Sequence, residues 1–123
     1  TLEFLHRGGR IGGAQAFLGT MLNLKPILEV RDGKIEAAGK VRTMNKAVDK
    51  VIEIMKSKVG EQTPIRIAIQ HANALEEAKV LLEKVNQSFP NGDIIEAVIA
   101  DVSPVIGTHT GPGVVGIAYM AGM

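Results

Sequence analysis

The hydrophobic period of this chain changes once, sharply, between residues 44 and 70, and that change limits what the chain can become. Val48, Val51, Ile52, Met55 and Val59 recur at spacings of three and four. That is the period of a helix with one buried stripe. Ile65, Ile67 and Ile69 then alternate with Arg66, Ala68 and Gln70, the period of two that turns one face of a strand to a core. Gly60 closes the helix and Pro64 opens the strand. Thr43 is an N-cap residue, so the helix is predicted over 44–59.

The rest of the chain repeats this mixture. Asp32-Gly33 lies between apolar segments at 27–30 and 35–41, a strong hairpin signal. Asn73 and Glu76 have capping-box spacing. They predict a helix running to about residue 88 that buries Leu75, Ala78, Leu82 and Val85. Pro90-Asn91-Gly92 is a turn, and strands are predicted over 94–100 and 114–120. At the other end, residues 2–7 read as the end of a helix stopped by Gly8-Gly9. A short helix is predicted over 13–22, with Phe17, Leu18, Met21 and Leu22 as its apolar face. Lys25-Pro26 ends it, because the residue before proline avoids the helical region. The predicted order is α-α-β-β-α-β-α-β-β. The fold class is α/β, a mixed sheet with helices packed on it. Its 123 residues make one domain with a core of its own. Strand order is not encoded in these patterns.

Composition removes several classes of function. Apolar residues make up 46% of the chain, which excludes disorder. There is no cysteine, hence no disulfide framework and no thiolate metal site, which fits a cytoplasmic protein. The net charge is +1, with both signs along the chain, so nothing calls for nucleic acid or an anionic membrane. The longest apolar run is far short of the ~20 residues of a membrane span, and no signal-peptide pattern opens the sequence. Tryptophan is absent, and with it an evident stacking platform for bases or sugars. The chain starts at Thr1 and is helical in pattern at once, so it reads as a domain cut from a longer protein.

The densest chemistry is Gly107-Thr108-His109-Thr110-Gly111-Pro112-Gly113, followed by the apolar run 114–120. One imidazole stands between two hydroxyls inside a glycine fence that allows positive φ and close backbone approach. A glycine-rich turn with a solvated histidine is one reading. In a second, Thr108, His109 and Thr110 donate hydrogen bonds to a carboxylate. In a third, His109 is the acid–base of a hydrolase or transferase; Asp101 and Ser103 precede it, in an order that matches no nucleophile-elbow triad. A purely structural or dimerising domain is a further alternative, with the apolar C-terminal strand as interface. Gly8-Gly9-Arg10-Ile11-Gly12-Gly13 could present backbone N–H groups to an anion, but it is not a dinucleotide fingerprint. As a plain helix–helix turn it leaves Arg10 facing solvent. Arg42 sits at a strand-to-helix junction, and a surface arginine is the simplest account of it. His71 ends the strand from Ile65, where a satisfied structural histidine is expected. His6 reads as an exposed helix residue. The three histidines lie far apart without carboxylates at ligand spacing, so no metal site is indicated.

Several segments together resemble the C-terminal domain of the DegV family of bacterial fatty-acid-binding proteins. They are Leu5-His6-Arg7-Gly8-Gly9-Arg10-Ile11, the run Leu18-Gly19-Thr20-Met21-Leu22-Asn23-Leu24-Lys25-Pro26-Ile27-Leu28, Asp32-Gly33-Lys34-Ile35, Lys40-Val41-Arg42-Thr43 and 107–113. The resemblance covers essentially the whole chain. It implies a two-domain α/β protein holding one long-chain fatty acid between its domains, with no cofactor. The family's N-terminal domain, which supplies other carboxylate hydroxyls, is absent from these 123 residues. The resemblance places His109 at the carboxylate, with Gly107, Thr108, Thr110 and Gly111 around it. It implies a carrier rather than an enzyme, one that presents its fatty acid to a fatty-acid kinase. The kinase makes an acyl phosphate for phospholipid synthesis. Arg10 and Arg42 map onto arginines implicated in the encounter with that kinase.

Overall fold

The computed structural model describes residues 25–102 and 113–123. The two helices expected before residue 25 lie outside the described residues. The rest follows the predicted order. Strands β1 (Lys25–Arg31) and β2 (Lys34–Val41) form an antiparallel hairpin. Helix α1 (Met44–Val59), strand β3 (Ile65–His71), helix α2 (Leu75–Ser88) and strands β4 (Ile94–Asp101) and β5 (Val115–Ala121) follow. The second sheet has the order β4-β3-β5, with β4 parallel and β5 antiparallel to β3. A parallel neighbour needs a crossover, and α2 supplies it.

Local chemistry explains most element ends. Asp32 and Gly33 both take positive φ, 52° and 77°, as a tight two-residue hairpin turn requires. At α1, the Thr43 Oγ1 accepts from the Lys46 amide at 3.2 Å, so the predicted N-cap is made. Gly60 ends the helix at φ 60° with its N–H on the Lys56 carbonyl, and Lys56 and Lys58 in the last turn complement the helix dipole.

The core is one cluster drawn from three elements. Ile65, Ile67 and Ile69 of β3 meet Val48, Ile52, Met55 and Val59 of α1 and Ala78, Leu81 and Val85 of α2. The period-two reading of β3 therefore holds. On α1, Ala47 is buried and Val51 only half-buried, a small rotation from the expected stripe. The change at α2 is larger. Leu75 is 46% exposed and Leu81, at 2%, takes the inner position expected of Leu82, which packs at the margin of the core. Two stripes on a 3.6-residue period share Ala78 and Val85. What selects the stripe through Ala74 and Leu81 is the anchoring of Ala74 by the strand before it, described below.

The hairpin packs on α1 with Ile27 buried, and a 2.7 Å ion pair joins Lys58 to Glu29. Lys84 of α2 reaches Asp49 of α1 at 3.1 Å. Such exposed pairs contribute about 0–1 kcal/mol each, so apolar burial carries the packing. Substituting Thr43→Ala leaves the core intact and removes the α1 cap. Denaturant unfolding is expected to show a loss of about 1 kcal/mol with an unchanged m-value.

Candidate functional site

Three connections meet at the carboxyl end of β3. The Val102 N–H donates to the His71 carbonyl at 2.8 Å. The Ala72 N–H donates to the Val114 carbonyl at 3.0 Å, and the Gly113 N–H to the Ala72 carbonyl at 2.7 Å. Residues 102 and 113 flank segment 103–112, and they bond to adjacent residues at the end of the central strand, Val102 to His71 and Gly113 to Ala72. Helix α2 starts three residues further on. In α/β sheets, ligands gather at the carboxyl ends of strands for this topological reason.

His71 occupies the middle of this junction and is the buried polar residue among those described, at 6% exposure. Its Nδ1 accepts the Ala74 N–H at 3.0 Å, and its Nε2 lies 3.2 Å from a carboxylate oxygen of Asp101. An amide N–H can only donate, so Nδ1 carries a lone pair. The ring proton is then on Nε2. The expectation of a satisfied structural histidine is met, and the satisfaction is specific. No buried side-chain polar atom among the described residues lacks a partner.

This arrangement corrects the expected capping box. The N-cap of α2 is Ala74, with no side-chain cap bond; its carbonyl accepts from Ala78 at 3.0 Å. Asn73 instead takes φ 52°, a left-handed conformation that asparagine tolerates better than most residues. The role of cap passes to the imidazole of His71, three residues before the N–H it accepts. A histidine closing a strand one turn ahead of a helix was the signal for it, overshadowed by the Asn-x-x-Glu pattern.

The predicted head-group residues Gly107, Thr108, His109, Thr110 and Gly111 lie outside the described residues, as do Arg10 and Ser103. Asp101, weighed as an acid–base partner of His109, is engaged with His71. Arg42 is exposed at the junction of β2 and α1, and Lys40 and Lys46 beside it are exposed too. The charges sort more by region than a net +1 suggests. Residues 25–59 hold nine basic and five acidic side chains, and residues 60–102 hold three and seven. The hairpin and α1 therefore form a basic half, and α2 with β3 and β4 an acidic half. A depression of about 570 Å³ between the helices is lined by Asp49, Ile52, Glu53, Lys56, Lys84, Gln87 and Ser88. No group of three or more metal-ligating side chains occurs among the described residues, and none of their helices is long and apolar enough to cross a membrane.

A mixed α/β domain with a glycine-rich His-Thr segment rooted at the end of its central strand defines a class with known relatives. The sequence profile of the DegV family, described as "Uncharacterised protein, DegV family", matches residues 1–122. The chain belongs to the DegV family. It is 41% identical to a DegV domain-containing protein of Clostridium acetobutylicum over 118 residues, which is 96% of this chain and 40% of that protein. The fold superposes on a DegV family protein from Thermus thermophilus, whose structure concerns its fatty acid binding. The TM-score is 0.91 at 40% identity, covering 98% of this chain and 42% of that one. DegV of Bacillus subtilis, a fatty acid binding protein, matches with a TM-score of 0.75 at 37% identity, over 97% of this chain and 41% of its own. The chain thus spans about two-fifths of the length of the relatives it matches.

The geometry of Asn73 separates the two accounts of the α2 start. Serine is as good a cap as asparagine but a poor left-handed residue. Asn73→Ser is expected to cost about 1 kcal/mol, and Asn73→Gly to cost less than Asn73→Ser. Equal stability of the serine variant and the parent in thermal unfolding would restore the capping box.

Proposed function

We propose that this chain is the C-terminal domain of a two-domain fatty-acid carrier. Thr108, His109 and Thr110 hydrogen-bond the carboxylate of a long-chain fatty acid, with Gly107 and Gly111 giving the backbone room to approach it. The observation that carries this reading is the likeness, over 98% of the chain, to a Thermus thermophilus relative studied for its fatty acid binding. The anchoring of both roots of segment 103–112 at the end of β3 supports it further. A rigid strand end is where a head-group site needs to be held.

The energetics fit a carrier. An acyl chain gains about 0.8 kcal/mol per buried CH₂. Some ~14 methylenes are therefore worth roughly 11 kcal/mol at most, if enclosed. A carboxylate taken out of water costs several kcal/mol unless donors replace the water. The tail therefore supplies affinity, and the Thr-His-Thr donors supply orientation. One domain offers one wall, so enclosure falls to the rest of the protein, the N-terminal domain.

The carrier presents its fatty acid to a kinase in the cytoplasm, where ATP is at hand. The carboxylate is phosphorylated there to the acyl phosphate that feeds phospholipid synthesis. Arg42, exposed between Lys40 and Lys46 in the basic half of the fold, suits an acidic partner surface, and Arg10 is assigned the same role. The engagement of Asp101 with His71 removes one partner from an acid–base mechanism at His109, which favours binding over catalysis.

Mass spectrometry of lipids co-purifying with the full-length protein is expected to find fatty acid in the parent and much reduced occupancy in His109→Ala. Equal occupancy removes His109 from the head-group site. In a coupled assay with the kinase, Arg42→Ala is expected to slow acyl-phosphate formation about tenfold while leaving fatty-acid occupancy unchanged, as loss of an interfacial charge does. Parent-like turnover would take Arg42 out of the encounter.

A further inference from the structure

We infer that the outward face of the β1–β2 hairpin is the apolar anchor of the kinase-docking surface, with Lys40 and Arg42 as its charged end. This rests on the preceding reading, that Arg42 meets an acidic surface of a fatty-acid kinase.

The hairpin turns an apolar face away from the helix it packs on. Side chains alternate between the faces of a strand, and residues paired across strands share a face. Glu29 pairs with Lys58 of α1 at 2.7 Å, so Glu29 and its cross-strand partner Glu36 mark the face toward α1. Leu28 and Val30 lie on the other face, opposite Ala37 and Ile35. Val30 is 74% exposed, Ala37 is exposed, and Leu28 and Ile35 are half-buried. Pro26 shares this face and is opposite Lys40. Ala38 is the extra residue between the Ile27–Gly39 and Leu28–Ala37 pairs. A bulge of this kind re-aims the side chains beyond it, and here it brings Lys40 onto the face of Ala37. Lys40 is exposed, and Arg42, exposed as well, follows at the bend into α1. The outward face therefore runs from an apolar centre to a cationic end.

That gradation selects the partner. An exposed apolar patch with a polar border marks an interaction site. Protein interfaces have an apolar centre, a polar rim and an enrichment in arginine. The cations at one end call for carboxylates on the partner, as the reading of Arg42 already requires. Charge is too sparse here for an anionic bilayer. Residues 25–42 hold five basic and three acidic side chains, an excess of two, where lipid-binding clusters carry about 4–8 basic residues. A second copy of the chain fits less well, because the paired residues of this face include no carboxylate to meet the cationic end. The two parts of the surface divide the work. Desolvation of the apolar centre slows dissociation, and the cations speed the encounter.

The full-length protein, loaded with oleate, is measured on the immobilised kinase by surface plasmon resonance. Val30→Asp and Ala37→Glu are each expected to weaken binding about tenfold, mainly through faster dissociation. Val30→Ile is expected to stay within about twofold of the parent, because it keeps the apolar contact. Oleate occupancy and melting temperature are expected to stay at parent values in all three. Val80→Asp places the same charge on another exposed valine, on α2, and is expected to bind like the parent. Arg42→Ala is expected to slow association, a loss that added salt removes by screening. Parent-like binding by Val30→Asp overturns the inference, and so does an equal loss in Val80→Asp. A parent that does not bind the kinase, or Arg42→Ala that binds like the parent, overturns the reading of Arg42 and the inference built on it. A loss in Arg42→Ala with parent-like binding in Val30→Asp overturns the hairpin anchor alone. Flotation with phosphatidylcholine vesicles containing phosphatidylglycerol and light scattering test the other occupants. Vesicle binding or a doubled mass that Val30→Asp abolishes, with kinase binding left intact, overturns the inference in favour of a bilayer or a second copy.

Discussion

The junction at His71 and Ala72 is the constraint on which the described fold turns. The carbonyl of His71 and both backbone groups of Ala72 are spent on the two ends of segment 103–112. The His71 ring is spent on α2 and on Asp101. Backbone groups buried at a strand end must find partners, and here each partner belongs to a different connection. The satisfied polar groups thereby fix the relative placement of β4, β5 and α2 around β3. Apolar burial behind them, through Ile65, Ile67 and Ile69, makes that placement stable.

The same junction sets the rotation of α2. With the Ala74 N–H held by the ring, Ala74 is buried at 5% and Leu75 turns outward. Ala78, Leu81 and Val85 follow inward on the helical period. A polar contact of one side chain thus decides which leucine enters the core. The hairpin and α1 depend less on it. They are joined by the Lys58–Glu29 pair, and they carry the basic half of the charge. The two halves thereby differ in the sign of their charge.

Local patterns were legible where a short sequence signal and its physical cause lie within one element. The Asp32-Gly33 turn, the Thr43 cap and the alternating face of β3 are of this kind, and each is found where the pattern puts it. Asn73 is the counter-example. Its spacing to Glu76 imitates a capping box, but an acceptor on another element's last residue, the His71 ring, competes for the start of the helix. The glycine-rich segment is legible as a candidate site through its residue types and through family likeness. Its setting, with both roots on His71 and Ala72, is not, because strands distant in sequence form it.

Sequence by itself determined the element types, the two periods of the core stripes and the membership of the DegV family. These follow from residues a few positions apart, or from matches along the whole chain. Only the tertiary structure decided the β4-β3-β5 order, the face of α2 that enters the core, and the partnership of His71 with Asp101. The strand order and the His71–Asp101 contact join residues far apart in the sequence, and the face of α2 turns on a bond between His71 and Ala74 that the Asn-x-x-Glu spacing hides. Their energies are comparable for several pairings in a sequence and are separated only when all the buried polar groups at one strand end have to be satisfied together.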